Sequence, residues 1–351
     1  MKTYLKISLF LLFFILLLGI KGVKASDEFT RNIKKEFPVN ADAQLVINNK
    51  FGKVQCTNWD KQSVSFEITI TVTARDQNFA NKILDRINIS FSNSPSLVEV
   101  KTILDNYKFP GKGHFSIDYS VNMPAGVSLD LTNKFGDIFI NEVLGKAKID
   151  LGYGNMEVNK LGNSDNLLDI SFSNASVKWM KGAVVTLKYS NLKMDYAGSL
   201  RLDSKFSNLE AQKIVVLNVN FEGGKLDMER SSAIDSKIKF SDLTIGRIEK
   251  SLNLDIQYGS CDVHEMPADF SSVNIRNKYG DVSIGLSEQS SYVLDAELRF
   301  CDLDYPEKNA KLNLHSTSPT EKAYKGTINA GTNAATSKVT VKSEFGNISL
   351  Q

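Results

Sequence analysis

Apolar positions recur along most of this chain in units of about 18 residues, each centred on the same four-residue phrase. The phrase is an aromatic, then Gly or Ser, then usually Asn or Asp, then an aliphatic residue. Self-similarity at a near-constant short period indicates a repeat architecture, in which each unit buries its apolar side against its neighbours. An early copy begins at Phe51, and a looser one, F-E-G-G-K-L, begins at Phe221. The phrase starts at Phe135, Tyr153, Phe172, Tyr189, Phe206, Phe240, Tyr258, Tyr279, Phe300 and Phe345.

The spacing of apolar residues around each phrase predicts two strands joined by a corner. Around Phe172 the apolar or small positions are Leu168, Ile170, Phe172 itself, Ala175 and Val177. Alternation at period two indicates strands with one buried face. The step of three after the aromatic breaks the alternation, and Gly, Ser, Asn and Asp there tolerate bent backbone.

These features predict an all-β fold, a single-chain parallel β-solenoid (β-helix) with coils of about 18 residues. Right-handed crossovers are favoured for parallel strands, although coils of this length also suit left-handed helices. The phrase aromatics should form one buried internal stack, with Lys134, Lys188, Lys205 and Lys278 exposed beside it. Before the repeats, the apolar spacing of Phe79, Ile83, Leu84 and Ile87 predicts one short helix within a β-rich cap.

The chain divides into four predicted parts. Residues 1–25 have a basic start, an apolar run and small residues ending at Ala25, as in a cleaved secretory signal peptide. The apolar run is short for a bilayer span, and no later segment is predicted to cross a membrane. Residues 26–125 form the cap and first coil, 126–305 the repeats, and 306–351 a polar insertion and a closing coil. The protein should be exported to the periplasm, the cell surface or the medium.

Charge and cysteine content narrow the class of protein. There are 42 Lys and Arg against 40 Asp and Glu, a balance that disfavours nucleic-acid binding. Three cysteines occur. Two coils should separate Cys261 from Cys301, roughly 10 Å, which is too far for a disulfide.

Three repeated polar features are candidates for binding. The corner residues could chelate calcium, but they are typical of bends that bond to local backbone. The outward basic column and its acidic neighbour could contact an anionic glycan, or they could form a self-compensating solvated surface. The corner set is Asp137, Asn155, Asn174, Asn191, Asn208, Asp242, Asp281, Asp302 and Asn347. The basic column is Lys50, Lys134, Lys188, Lys205, Lys239, Lys278 and Arg299, and the acidic one is Asp150, Asp169, Asp203, Asp255 and Glu297.

Asparagines and isolated aromatics have plainer interpretations. Asn49, Asn133 and Asn277 recur in N-K-[FY]-G at an inward position, which favours a buried device that fixes the register. Trp59, Trp179 and outward Phe139 could stack on sugar rings, although isolated aromatics usually pack.

No catalytic constellation is visible in the sequence. The histidines are His114, His264 and His315, and no hydrolase or metal-binding motif surrounds them. We therefore predict no catalytic, cofactor-binding or metal-binding residues and no cofactor.

Three segments resemble bacterial exported "putative adhesin" proteins, similar to the head-domain auto-transporter adhesin group. They are I-N-N-K-F-G-K-V-Q-C-T-N-W-D-K-Q-S-V-S-F, V-N-M-P-A-G-V-S-L-D-L-T-N-K-F-G-D-I-F-I and V-T-V-K-S-E-F-G-N-I-S-L. The resemblance implies a β-helix fold and export, and surface attachment by analogy.

The functional expectation is a non-enzymatic, adhesin-like protein that presents a rigid repetitive surface at the cell envelope. Its partner would be an envelope polysaccharide or a surface or periplasmic protein. One alternative is an envelope-stress sensor or scaffold that binds a protein. The other is a carbohydrate-active β-helix enzyme, which would need convergent carboxylates.

Overall fold

The computed structural model describes residues 27–105, 114–329, 335 and 337–351. The predicted signal peptide lies outside these residues. The described chain is almost entirely strands, with one α-helix, α1 (Gln77–Leu84), and a 3-10 helix at Glu307–Asn309. The strands before the repeats are β1 (Asp27–Pro38), β2 (Gln44–Lys50), β3 (Val54–Asn58), β4 (Ser63–Ala74), β5 (Ile87–Ser94), β6 (Leu97–Leu104) and β7 (His114–Met123).

The repeats contain strands of very different lengths. Strand β14 runs for 67 residues. It bends at successive corners and stays paired within the sheet. The strands are β8 (Ser128–Lys134), β9 (Ile138–Val143), β10 (Ala147–Gly152), β11 (Asn155–Leu161), β12 (Asn166–Ser171), β13 (Asn174–Lys188), β14 (Asn191–Gln257), β15 (Ser260–Met266), β16 (Ser272–Lys278), β17 (Asp281–Leu286), β18 (Tyr292–Arg299) and β19 (Leu303–Asp304). The C-terminal strands are β20 (Ala310–Ser318), β21 (Glu321–Ile328), β22 (Ser337–Glu344) and β23 (Ile348–Leu350).

The prediction of a right-handed parallel β-solenoid is wrong. The described strands form one mixed sheet that nearly closes on itself. Antiparallel pairs occur at both ends: β1 with β4 and β4 with β7 near the N-terminus, and β18 with β21 and β21 with β20 near the C-terminus. The repeat pattern predicted the parallel pairing in the middle correctly, but it carried no information on the antiparallel strands at the two ends.

Within the middle of the sheet, successive repeats pair in parallel and in register. Leu131 of β8 pairs with Ile149 of β10, and Ile149 pairs with Leu168 of β12. Equivalent side chains therefore stack on one another, and all three of these are buried. A continuous apolar core follows from this register, because each repeat covers the apolar side of the one before it.

The N-terminal region contains the predicted short helix. Asp76 caps α1 by accepting a hydrogen bond from the Phe79 backbone N–H at 2.8 Å. The helix buries Ala80, Ile83 and Leu84. Its packing covers part of the antiparallel strands.

The C-terminal repeat lies inside the series of repeats rather than after them. Strand β22 pairs with β16 on one side and β18 on the other, and β23 pairs with β17 and β19. The spatial order of repeats therefore differs from their order in sequence, in which β20 and β21 lie between β19 and β22.

The prediction that the phrase aromatics are buried is also wrong. Phe172 is 48% exposed, whereas Leu168, Ile170, Ala175 and Val177 are buried, as is Ser173 directly after the aromatic. The inserted residue of each corner is thus the aromatic itself, which points outward, and the small residue after it points into the core.

Candidate functional site: an exterior aromatic ladder

Eleven aromatic side chains share an unusual backbone conformation and form a surface that we call the aromatic ladder. Each has a positive φ between 50° and 62°, in the left-handed region that few non-glycine residues adopt. That conformation costs roughly 1–2 kcal/mol per residue. In this conformation the aromatic side chain lies on the outside of the corner. The members are Phe51, Phe135, Tyr153, Phe172, Tyr189, Phe206, Phe240, Tyr258, Tyr279, Phe345 and Phe300.

Ring stacking offsets this conformational cost. Tyr153 and Phe172 are stacked with their centroids 4.9 Å apart, and Phe172 and Tyr189 at 5.0 Å. An aromatic pair contributes about 0.5–1.5 kcal/mol beyond its buried area. Each internal ring has two neighbours, so the stacking energy and the backbone strain are of similar size.

The ladder consists of two runs of stacked rings. The first extends from Phe51 to Phe206, with Phe115 edge-on against Phe51 at 5.5 Å. The second extends from Phe240 through Tyr258, Tyr279 and Phe345 to Phe300. Stacked rings cover each other's faces and leave their edges towards solvent, and the edge of an aromatic ring carries partial positive charge.

The serines behind the ladder close the corners. Ser190 Oγ donates to the Lys188 carbonyl at 2.8 Å and accepts from the Ser173 backbone N–H at 3.1 Å. Ser207 Oγ likewise donates to the Lys205 carbonyl and accepts from the Ser190 N–H. Each hydroxyl thus satisfies backbone groups of two neighbouring repeats, which explains why Ser stands there in several phrases.

The predicted basic column flanks the ladder, and only part of it is neutralised. Lys134 pairs with Asp150 at 2.6 Å, Lys205 with Glu222 at 3.7 Å and Lys278 with Glu344 at 3.2 Å. Lys278 and Arg299 also lie over the Tyr279 and Phe300 rings. Three exposed members of the basic column form no ion pair within the described part of the chain: Lys50, Lys188 and Lys239.

The acidic column lies on the same face, and some of its side chains bond to a lysine or a serine beside them. Asp150 binds Lys134, and Glu297 binds Lys342 at 2.8 Å. Asp169 accepts a hydrogen bond from Ser171 Oγ at 3.3 Å. The solvated-surface interpretation therefore holds for some of these groups, while three lysines of the basic column keep their charge available.

On the other side of the ladder the corner amides form a second repeated feature. Asn208 Nδ2 donates to Asn191 Oδ1 at 2.8 Å, Asn191 to Asn174 at 2.9 Å, and Asn174 to Asn155 at 3.3 Å. Asn155 donates to Asp137 at 3.0 Å. A shallow groove of about 730 Å³ runs beside these amides. Each oxygen accepts from its neighbour, and the described residues contain no cluster of metal-ligating side chains.

The buried asparagines bond to backbone of neighbouring repeats. Asn133 Nδ2 donates to the Gly52 carbonyl at 2.9 Å, and Asn49 Nδ2 to the Ile117 carbonyl at 3.0 Å. Asn277 Nδ2 donates to Ser343 Oγ at 2.9 Å. These contacts lock one repeat to the next, as the register interpretation requires, although the partners are carbonyls and a hydroxyl and not stacked amides.

The isolated aromatics and His264 each make contacts of their own. Trp59 Nε1 donates to the Ser63 carbonyl, and Trp179 stacks on Tyr196 at 5.8 Å. Phe139 borders the groove beside the amides. His264 Nε2 lies 3.4 Å from Asp262 Oδ2, and both side chains are exposed.

Two cysteines are buried and one is half-buried. Burial raises the pKa of the Cys56 thiol and of the Cys261 thiol to about 12. Cys301 is half-buried, and its thiol contacts the Ser343 carbonyl at 3.5 Å. All three are free thiols.

No protein-family model and no curated protein matches this chain. The chain is similar to solved structures described as a "putative cell adhesion protein" from Clostridium sporogenes and "putative adhesins" from Bacteroides fragilis and Parabacteroides distasonis. Identities are 8%, 12% and 13%, and TM-scores are 0.20, 0.32 and 0.26. Each match covers 92% of this chain and 99%, 97% and 97% of the other. These names agree with the resemblance in the sequence, but likenesses this distant carry no argument about function.

Proposed function

We propose that this protein is an exported, non-enzymatic, adhesin-like protein whose aromatic ladder and adjacent lysines bind an extended anionic polysaccharide of the cell envelope. One observation carries the proposal: a row of solvent-exposed rings beside Lys50, Lys188 and Lys239, which have no acidic partner among the described residues. Contiguous exposed apolar surface on a soluble domain marks an interaction site.

The chemistry of the surface matches an anionic chain in two ways. Ring edges point outward and carry partial positive charge, and the lysines add full charges along the same line. Each rung offers a similar weak contact, so a long ligand that engages several rungs gains affinity through multivalency.

The test is binding to polygalacturonate, a defined anionic polysaccharide, compared with dextran as a neutral one. The triple variant K50Q/K188Q/K239Q removes the unpaired lysines, and K35Q/K82Q/K311Q removes three exposed lysines elsewhere. We expect the first variant to bind polygalacturonate at least tenfold more weakly and the control to bind like the wild type. Equal loss in the two variants, or equal binding to dextran, would contradict the proposal.

A second candidate function is a scaffold that binds a protein through an open sheet edge. Among the described strands, β20 pairs only with β21, and its Leu314 side chain is 59% exposed. An unpaired edge is a template for another strand. Substituting Leu312 and Leu314 by Lys should abolish capture of such a partner while leaving polygalacturonate binding intact, so one pair of measurements separates the two functions.

Export rests on residues 1–25. Expression of the full chain in a bacterium followed by cell fractionation should place the protein outside the cytoplasm, with a new N-terminus at Ser26. Retention of the intact chain in the cytoplasm would contradict this part of the proposal.

A further inference from the structure

One repeat has no aromatic ring at its position in the ladder, which we call a rung. Gly223 lies 17 residues after Phe206 and 17 before Phe240, and its φ of +69° matches that of the ladder aromatics. The nearby aromatic, Phe221, is fully buried. The looser phrase in the sequence is therefore shifted by two residues: Gly223 stands at the ladder position and Phe221 belongs to the core.

The missing ring leaves a vacancy between two ring faces. Stacked neighbours elsewhere in the ladder are 4.8 to 5.3 Å apart. Two strand spacings separate the backbones of Phe206 and Phe240 by roughly 10 Å, about twice the distance between stacked neighbours. These two side chains are also the most exposed of the ladder, at 57% and 61%, because each lacks a neighbour on one face.

Phe206 already leans towards the vacancy. A Cβ placed on Gly223 would lie 2.8 Å from Phe206 Cδ1, and Phe206 lies 5.3 Å from Tyr189, the widest spacing in its run. A ligand ring would return Phe206 to the position that the other ladder rings adopt. Phe206, stacked on Tyr189 at 5.3 Å, and Phe240, stacked on Tyr258 at 5.1 Å, thus border the vacancy on its two sides.

Polar groups border the vacancy on both sides. On the basic side Lys205 pairs with Glu222, and Lys239 has no ion pair among the described residues. On the amide side Asn208 Oδ1 accepts from the Lys225 backbone N–H at 3.0 Å. The vacancy is therefore apolar above and below and polar at its rim, with one uncompensated positive charge.

We propose that this vacancy binds one hexuronate residue of an anionic polysaccharide, a pyranose that carries a carboxylate. The C–H faces of the sugar would contact the Phe206 and Phe240 rings, its hydroxyls the rim, and its carboxylate Lys239. The inference rests on the proposed function and deepens it, because it gives one rung a defined sugar subsite.

A peptide fits this place less well. Strand β14 runs continuously past Phe206, Gly223 and Phe240, so its backbone groups are hydrogen-bonded within the sheet. An extended peptide would find no free main-chain donors or acceptors there, whereas a sugar needs only side-chain contacts.

The test is calorimetric titration of tetragalacturonate and of neutral galactotetraose into purified wild-type protein and variants. G223F fills the vacancy, and eleven ladder aromatics show that this backbone conformation accepts such a side chain. We expect G223F to bind tetragalacturonate at least tenfold more weakly, and K239Q to lose the preference for tetragalacturonate over galactotetraose. K82Q, which removes an exposed lysine outside the ladder and its basic column, should bind like the wild type.

A second pair of variants keeps the test independent of the folding of G223F. F240N removes one wall, and Asn tolerates the positive φ of a ladder position. The control Y196N removes a half-buried ring that stacks on Trp179 outside the ladder. F240N should weaken binding at least tenfold and Y196N should not. Unchanged binding in both G223F and F240N would overturn the proposal, as would saturable binding of N-acetyl-tyrosine amide, lost in G223F, without binding of tetragalacturonate.

The outcomes also separate this proposal from the broader one. If polygalacturonate binds in a lysine-dependent way but tetragalacturonate binding does not change in G223F, only the vacancy proposal fails. If neither saccharide binds the wild type, both proposals fail.

Discussion

Tyr153 and Phe172 are 19 residues apart in sequence, yet their rings are parallel and their centroids lie 4.9 Å apart on the outside of the sheet. Both residues have a positive φ, so the same backbone strain that turns each corner also places the two rings in contact. The turn of the corner and the exposed row of rings therefore come from the same backbone conformation.

The first prediction concerns the stability that stacking supplies. Phe172→Asn removes two stacking contacts and Phe206→Asn removes one, while Asn tolerates the left-handed backbone in both. At about 0.5–1.5 kcal/mol per pair, F172N should lower the free energy of unfolding by roughly 1–3 kcal/mol and F206N by about half as much. Urea unfolding of the two variants measures the difference. Equal effects, or no effect of F172N, would show that stacking does not stabilise the fold.

The second prediction concerns the buried amide of Asn133. Asn133→Ala removes the 2.9 Å hydrogen bond to the Gly52 carbonyl, which keeps only a 3.4 Å contact from Asn49 Nδ2. A poorly satisfied buried carbonyl costs about 1–3 kcal/mol, so the free energy of unfolding should fall by about that amount. Asn191→Ala, in the exposed row of amides, is the control. There water replaces the lost bond, and a loss as large as that of N133A would contradict the interpretation.

The third prediction concerns the thiols. Burial raises the pKa of Cys56 and Cys261 to about 12, so at pH 8 both stay protonated and unreactive. Iodoacetamide should therefore modify Cys301 first in the native protein and all three cysteines after unfolding. Mass spectrometry of peptides from each stage gives the order. Rapid native labelling of Cys261 would mean that its strand opens to solvent.

The same cysteines test the order of the repeats. Cys261 pairs with Val282, Val282 with Ile348, and Ile348 with Leu303. The C-terminal repeat thus adds a strand between them, and the backbones of Cys261 and Cys301 should be roughly 14 Å apart. We predict no disulfide between them. A Cys261–Cys301 crosslink in non-reduced peptide maps would contradict this strand order.

The fourth prediction separates an extended surface from a single pocket. Asp150→Asn, Asp169→Asn and Asp203→Asn, made singly, should each change polygalacturonate binding by no more than about 1 kcal/mol, because an exposed charge contributes little. The direction should be towards tighter binding, since each change removes negative charge beside the ladder. Complete loss of binding in a folded single variant would place the activity in one discrete site.

Part of the fold follows from the sequence by simple physics. The period-two alternation at Leu168, Ile170, Ala175 and Val177 predicted the buried face correctly, because in-register stacking repeats the same environment at each turn. The short helix at Phe79 and Ile83 was also predictable from its apolar spacing. The pairing of the strands was not predictable. Nothing in the local pattern of β4 or β21 indicates that each strand pairs antiparallel on both sides.

The candidate site was missed because aromatic residues are usually buried. Counting Phe172 as inward required a corner of two residues, whereas the structure inserts one residue with a positive φ. A signal was present in the small residue that follows each aromatic, since Ser173, Ser190 and Ser207 are buried. An inward Ser directly after Phe or Tyr means that the aromatic points outward. The shifted phrase at Gly223 gave the same information, because Phe221 fits the core position and Gly223 the ladder.

The central claim is that the exterior aromatic ladder is the surface that binds the anionic polymer. Hydroxyl-radical footprinting, read by mass spectrometry with and without saturating polygalacturonate, tests it most directly. We predict that Tyr153, Tyr189, Tyr258 and Tyr279 are oxidised in the free protein and protected by the polymer, while Trp59 is unchanged. Ladder tyrosines that stay equally oxidised in the complex, with protection confined to another face, would contradict the account.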